Sequence, residues 1–263
     1  MPGALAPWHP GPAMVPAGRP RVLVNCATSL DGKLQLAPAL RARAFAMSRG
    51  PEDHRRMRAL RGRADAVIIG GQNLRVDDPD LALLDDERTR RRATGMREPL
   101  RVVVTRAAEG IDPAHRIFDA TRGGESVVAH TAALREERRA ALSRVATLLD
   151  LGRSTPAPDA GFGAPADSHT EVDVRRLLGW LADQRACRTV LVEGGGLINA
   201  SFFAARAVDE LFVTVVPRIL GGATAPTLVD GGGFADDQVP DAHLAELERI
   251  GDELFLRYRF EWP

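Results

Sequence analysis

"TVLVEGGGLINASFF", residues Thr189–Phe203, decides how the rest of the chain is read. Thr189 to Val192 is a short apolar, β-branched run of the kind that fills a buried strand. Glu193 follows, then Gly194, Gly195 and Gly196, then an apolar segment expected to be helical from about Leu197 to Ala205. The glycines allow two readings. They make a tight turn, or they let the backbone approach a ligand at a helix N-terminus, where unpaired N–H groups favour an anion. Glu193 would repel a phosphate; a carboxylate at a strand end better accepts hydrogen bonds from sugar hydroxyls or a base.

Working outward, the same alternation recurs. Strands are expected at Val22–Ala27 in "RVLVNCATSLDGKL", then in "DAVIIGGQ", "LRVVVTR", "SVVAHT" and "ATLLDL". They are mostly continuous apolar runs, as strands buried on both faces are. Between them, "SRGPEDHRRMRALRGRA" carries helix signals: Pro51 in the first turn, Glu52 and Asp53 after it, and Arg58, Arg61 and Arg63 toward the end. "TAALREERRAALSRVA" reads as an exposed helix with an apolar stripe at Leu134, Leu142 and Val145. "TEVDVRRLLGWLADQ" places Val174, Leu177, Leu178 and Leu181 on one helical face, with Thr170 and Asp173 resembling a capping box.

The C-terminal part changes character. "VDELFVTVVPRILGG" is a strand running into a loop, and "ELFLRYRFEW" alternates apolar and polar residues like an antiparallel strand near a sheet edge. The expected fold class is therefore α/β: a three-layer domain over residues 20–263, with a mainly parallel sheet and antiparallel C-terminal strands. Residues 1–19, rich in Pro, Gly and Ala, are expected to be a disordered or peripheral tail, with Trp8 able to pin it to a surface. Residues 152–169 are expected to be a long internal loop.

Composition narrows the function. The 263 residues carry 35 basic and 35 acidic side chains and only 5% aromatics, so neither a basic field nor a stacking surface argues for nucleic acid. The tail lacks a basic n-region and an unbroken apolar core, and no apolar run is long enough to span a membrane; a cytoplasmic protein is expected. Cys26 and Cys187, far apart and beside apolar runs, are expected to be buried free thiols, with no zinc-binding spacing.

Ligands of open α/β sheets bind outside the carboxyl ends of the strands. Four segments fall there: Thr28–Lys33, Gly70–Pro79, Glu193–Asn199 and Arg218–Ala225. In Gly70–Pro79, paired Asp77 and Asp78 are able to share a proton or hold a metal, or form an ordinary Asp-Pro turn. In Thr28–Lys33, Asp31-Gly32 is a turn signal, and Lys33 is either an anion contact or a solvated cation. Six scattered histidines form no catalytic or metal motif, and no nucleophile is evident, which points to chemistry borrowed from a cofactor.

Taken together, "VNCATSLDGKL", "GGQNLRVDDPDL", "LVEGGGLINASFF" and "VPRILGGATAPTLVDGGGF" resemble, in order over most of residues 20–260, the pyrimidine reductases of riboflavin biosynthesis, which have a dihydrofolate-reductase-like fold. The resemblance implies an NADPH-dependent oxidoreductase, similar to 5-amino-6-(5-phosphoribosylamino)uracil reductase, that reduces the ribose of a ribosylamino-pyrimidine 5′-phosphate to a ribityl chain. The zinc deaminase often fused to such reductases has no signature here, so a stand-alone reductase is expected, and the family implies a homodimer.

By position, the resemblance puts Ala27 beside the nicotinamide. It assigns Gly70, Gly71, Asn73, Asp77 and Gly194 to the cofactor, and Gly195, Gly196, Leu197, Ile198, Asn199 and Ser201 to the segment wrapping its pyrophosphate. Arg106, after the strand "RVVVT", would favour the 2′-phosphate of NADP. Asp31, Lys33, Arg61, Leu81 and Glu193 fall at substrate positions, and Asp77, Glu193 and Lys33 are the catalytic candidates, ordering sugar hydroxyls or delivering a proton. Departures concentrate on the substrate side: Leu84 stands where a basic residue is expected to help hold the substrate phosphate. Two other readings therefore stay open. One is an NADPH-dependent reductase of a different heterocycle or carbonyl compound, and the other is a non-catalytic nucleotide-binding protein.

Overall fold

The computed structural model of the chain describes residues 16–37, 47–48, 50–152 and 172–262. Most of the expected tail, Trp8, nearly all of the expected loop at 152–169, and Thr170 lie outside the described residues.

Nine strands form one sheet, in the order β5-β4-β3-β2-β6-β1-β7-β9-β8. The first seven in chain order are β1 (Arg21–Thr28), β2 (Ala66–Gly70), β3 (Leu100–Val104), β4 (Ser126–His130), β5 (Thr147–Asp150), β6 (Thr189–Val192) and β7 (Glu210–Val215). They pair in parallel, and apart from β5 their interiors are buried, which is why the sequence shows unbroken Val/Ile/Leu runs there. β8 (Asp241–Ile250) and β9 (Glu253–Glu261) form a hairpin that joins β7 antiparallel. The expected alternating strand is β9, antiparallel and one strand in from the sheet edge. β8, mostly exposed, covers it. The expected three-layer, mainly parallel architecture with antiparallel C-terminal strands is thus observed.

Helices cover both faces. On one face, α5 (Val174–Arg185) and α6 (Gly196–Ala204) bury Leu177, Leu178, Leu181, Phe202 and Phe203 against Val22, Val24, Val190 and Val192. On the other, α1 (Pro51–Arg61), α2 (Gly71–Asp77) and α4 (Glu136–Leu142) contribute Leu60, Leu74 and Leu142 to a second core with Leu23, Val67, Val103 and Phe212. α3 (Asp85–Ala93) buries Glu87 and Arg91 rather than apolar side chains.

Local chemistry explains most boundaries. Pro51 starts α1, acidic residues follow it, and Arg58 and Arg61 close it. The Asp173 side chain caps α5 by accepting from Arg176 N at 2.9 Å, so Asp173 is itself the N-cap and not the third residue of a capping box. The helix expected through "TAALREERRAALSRVA" is limited to α4, although Leu134 and Leu142 are buried as the stripe requires. The segment read as an Asp-Pro turn does hold one: Asp78 has φ 41° and closes α2 as its left-handed C-cap.

Candidate functional site

The carboxyl ends of β2, β3 and β6 open onto a cleft of about 500 Å³. α6 begins at its wall. Its N-cap, Gly195, offers no side-chain cap, so the first N–H groups of the helix are bare. None of the three glycines is in the left-handed region; their reason is space. A Cβ on Gly194 would stand 1.7 Å from Ile198 Cγ2, and one on Gly196 would stand 2.1 Å from Asp230 Oδ2 and 2.5 Å from the Thr227 carbonyl. A Cβ on Gly195 would meet only Asn73 Oδ1, at 3.2 Å. Gly194 and Gly196 are therefore held to glycine by packing, while Gly195 and Gly196 are the two that line the cleft.

Asn73, Arg106, Gly70, Gly71, Leu197, Ile198 and Ser201 line this cleft with Gly195 and Gly196, so the structure brings most of the expected cofactor residues together. Gly71 packs under Thr105, where a Cβ would approach Oγ1 to 3.1 Å. Asn199 is fully buried and donates to the Leu228 carbonyl at 2.9 Å, tying α6 to the 227–230 loop rather than lining the cleft. Asp77 is exposed at the end of α2 and does not line the cleft. Gln35, Arg75, Thr105 and Asp230 do line it, and sequence reasoning did not single them out. Asp230 follows from the contact of Asp230 N with the Gly196 carbonyl at 3.1 Å, a pairing 34 residues apart that has no local signal.

Of the expected substrate residues, Arg61, Glu193 and Leu81 lie on the α1 face of the sheet, while Asp31 and Lys33 stand apart from them in the loop after β1. Arg61 donates from Nε to Glu193 Oε1 at 2.8 Å and from Nη2 to Oε2 at 2.6 Å, with both side chains little exposed. Burial pulls the Arg61 guanidinium down, but the charge and hydrogen bonds of Glu193 outweigh it and hold the group above its ordinary range. Glu193 therefore accepts from Arg61 with both oxygens. Leu81 has φ 54° and is buried in the second core, one residue beyond Asp80, which accepts from Arg116 and Arg122. Leu84 is exposed, and its N–H is capped by Glu87 Oε2 at 3.0 Å.

Asp31 is a clasp. It accepts from Ser29 Oγ at 2.6 Å and from the backbone N–H groups of Leu220 and Gly221 at 3.0 and 2.7 Å. The Ser29 hydroxyl, then the Leu220 and Gly221 N–H groups, draw its carboxyl down to about 2. The clasp joins the loop after β1 to the loop after β7. Lys33 pairs with Thr227 as an isolated β-bridge and Leu34 N donates to the Pro226 carbonyl at 2.8 Å, so the same two loops are stitched again beside the cleft. Ala27, half-buried, sits on β1 opposite Thr214 of β7.

Cys26 and Cys187 are free and buried as expected, and burial pushes both thiols up to about 12. No helix among the described residues is long and apolar enough to cross a membrane. Among the described residues no three His, Cys, Asp or Glu side chains are grouped as metal ligands would be.

Comparison with known proteins gives this geometry a context. The family described as the RibD C-terminal domain matches residues 20–256. A 2,5-diamino-6-ribosylamino-4(3H)-pyrimidinone 5′-phosphate reductase of Methanothermobacter thermautotrophicus is 32% identical over 243 residues, covering 91% of this chain and 98% of its own. Among solved structures, a pyrimidine reductase-like protein of Corynebacterium diphtheriae superposes with a TM-score of 0.71 at 18% identity, over 92% of each chain. RibD of Acinetobacter baumannii superposes with a TM-score of 0.65 at 21% identity; 93% of this chain is covered, and it spans 59% of that longer protein. These two likenesses are of fold.

Proposed function

Because the chain belongs to the RibD C-terminal domain family, we propose that it is an NADPH-dependent reductase that converts the ribose of a ribosylamino-pyrimidine 5′-phosphate to the ribityl form in riboflavin biosynthesis. The observation that carries this reading is the cleft at the ends of β2, β3 and β6, with the uncapped start of α6 on one side and Arg106 on the other. A dinucleotide suits that donor set: bare N–H groups for a pyrophosphate and a guanidinium for a 2′-phosphate. When bound, NADPH supplies the hydride that reduces C1′ of the ring-opened sugar.

The chain's own residues do the rest. Gly195 and Gly196 admit the pyrophosphate against backbone. Arg61, fixed by Glu193, presents its remaining N–H donors to the substrate's phosphate or sugar, and Lys33 holds a proton for the reduced nitrogen. Asp31 keeps the two flanking loops closed so that water is excluded from the reacting carbon. Leu84 leaves the phosphate to Arg61 and the neighbouring arginines of the Asp80 cluster.

The reading also takes the protein as cytoplasmic and homodimeric. The exposed β8 edge, with Leu244 and Leu247 half or more exposed, is the surface that fits a second copy. Light scattering on the purified chain should give twice the monomer mass. The deciding experiment for the function is loss of reduced-nicotinamide absorbance on adding the ribosylamino-pyrimidine phosphate. Tight NADPH binding with no oxidation would overturn the reading.

A further inference from the structure

The loop that follows β7 returns to the first turn of α6. Asp230 N donates to the Gly196 carbonyl at 3.1 Å, and Asn199 Nδ2 donates to the Leu228 carbonyl at 2.9 Å. The segment after β1 holds the other side of this loop, through the hydrogen bond from Leu34 N to the Pro226 carbonyl and the Lys33–Thr227 bridge. Asp230 is thereby set into the wall of the cleft, against Gly196.

The two oxygens of its carboxylate have different surroundings. Oδ1 accepts from Thr227 N at 2.9 Å and from Thr227 Oγ1 at 2.7 Å. Oδ2 fills the space a Cβ would take on Gly196, and among the described residues nothing donates to it, the N–H groups of α6 included. The cleft wall therefore carries bare donors and a free anionic acceptor side by side.

For a phosphate alone, that pairing is unfavourable, because the carboxylate repels a second anion. It becomes favourable when the same ligand brings a hydroxyl donor next to its phosphate. A dinucleotide does so: a ribose flanks the pyrophosphate on each side, and a carboxylate is a good acceptor for ribose hydroxyls. The order of strands separates the two riboses. β3, β2, β6 and β1 are consecutive in the sheet. Arg106, assigned to the 2′-phosphate of the adenosine ribose, follows β3. Asp230 is stitched to the loop after β1, on the opposite side of α6, where Ala27 is expected beside the nicotinamide. The nicotinamide ribose is also the one that keeps both of its hydroxyls free.

We propose that Asp230 is a cofactor-binding residue whose free carboxylate oxygen accepts hydrogen bonds from the hydroxyls of the nicotinamide ribose. This rests on the cofactor assigned under the function proposed above. Thr227 fixes the carboxylate before the cofactor arrives, so that little order is lost on binding.

The test is calorimetric titration of the wild type, Asp230→Ala and Asp230→Asn with two nucleotides. One is NADPH. The other is 2′-phosphoadenosine 5′-diphosphate, which keeps the adenosine end and both bridging phosphates but lacks the nicotinamide ribose. Asp230→Ala should bind NADPH about tenfold more weakly. It should bind the fragment as tightly as the wild type or more tightly, since there only a repulsion is removed. Asp230→Asn, which retains an oxygen for Thr227, should melt with the wild type and still lose at least about threefold in NADPH affinity. Parallel weakening of both nucleotides would make Asp230 a pin for the loop and overturns the assignment. NADPH affinity that holds or rises in either variant overturns it as well. A wild type that binds neither nucleotide overturns the cofactor reading itself; one that binds both and ignores the substitutions leaves that reading standing.

Discussion

Arg61, at the end of α1, and Glu193, just past β6, are 132 residues apart in sequence and meet through two parallel hydrogen bonds. The pair sits largely out of water, where removing one partner leaves the other charge uncompensated.

Glu193→Ala should therefore lower unfolding stability by about 3 kcal/mol, at the low end for a buried pair, with Glu193→Gln costing less. Urea denaturation measures it. Cofactor affinity should be unchanged in both, while turnover falls because Arg61 is no longer oriented. A variant as stable as the wild type would mean that the pair is idle.

The three glycines separate by what surrounds them. Gly196→Ala must displace the Thr227 carbonyl, a backbone atom, and should destabilise by about 1–3 kcal/mol. Gly195→Val displaces at most the end of Asn73, so it should fold normally and lose NADPH affinity at least tenfold. Thermal melts paired with cofactor titration distinguish the two. Equal loss of stability at both positions would contradict this division.

Arg106 is exposed on the rim of the cleft at the end of β3. If it holds the 2′-phosphate, Arg106→Ala should weaken NADPH about tenfold and leave NADH within about twofold. Fluorescence titration with both nucleotides reads this directly. Parallel weakening would assign the 2′-phosphate elsewhere.

The Asp31 clasp is sensitive to acid. Its folded pKa lies at about 2, below the ordinary carboxylate value of 3.8, so its contribution is complete above about pH 4 and is lost as pH falls toward 2. The protection of the Leu220 and Gly221 amides, their exchange relative to the intrinsic rate at each pH, should be high at neutral pH and fall across that window. Asp31→Asn should lower the protection of those two amides at every pH; protection that survives the substitution would show that other contacts hold the loop.

Much of the fold was legible because periodicity is local. The continuous apolar strands, the apolar face of α5 and the Pro-led start of α1 each depend on neighbours within a turn or two. What was hidden depends on partners far away. Nothing around Glu193 announces Arg61, and nothing around Asp31 announces Leu220. α2 and α3 were missed because "GGQNLRVDD" and "DDERTRRRA" carry little apolar periodicity. The strand β8 escaped for the same reason: as an exposed edge it carries polar residues on both faces.

The order of strands has a further consequence for the birth of the molecule. β1 lies between β6 and β7, so the first strand to be synthesised has no neighbour until residues 189–215 exist. During translation its apolar surface, and the side chains it lends to the site, wait through more than half the chain before they are covered. A nascent chain stopped before β6 should be retained by chaperones, and completion of the sheet and completion of the reaction centre should be a single late event.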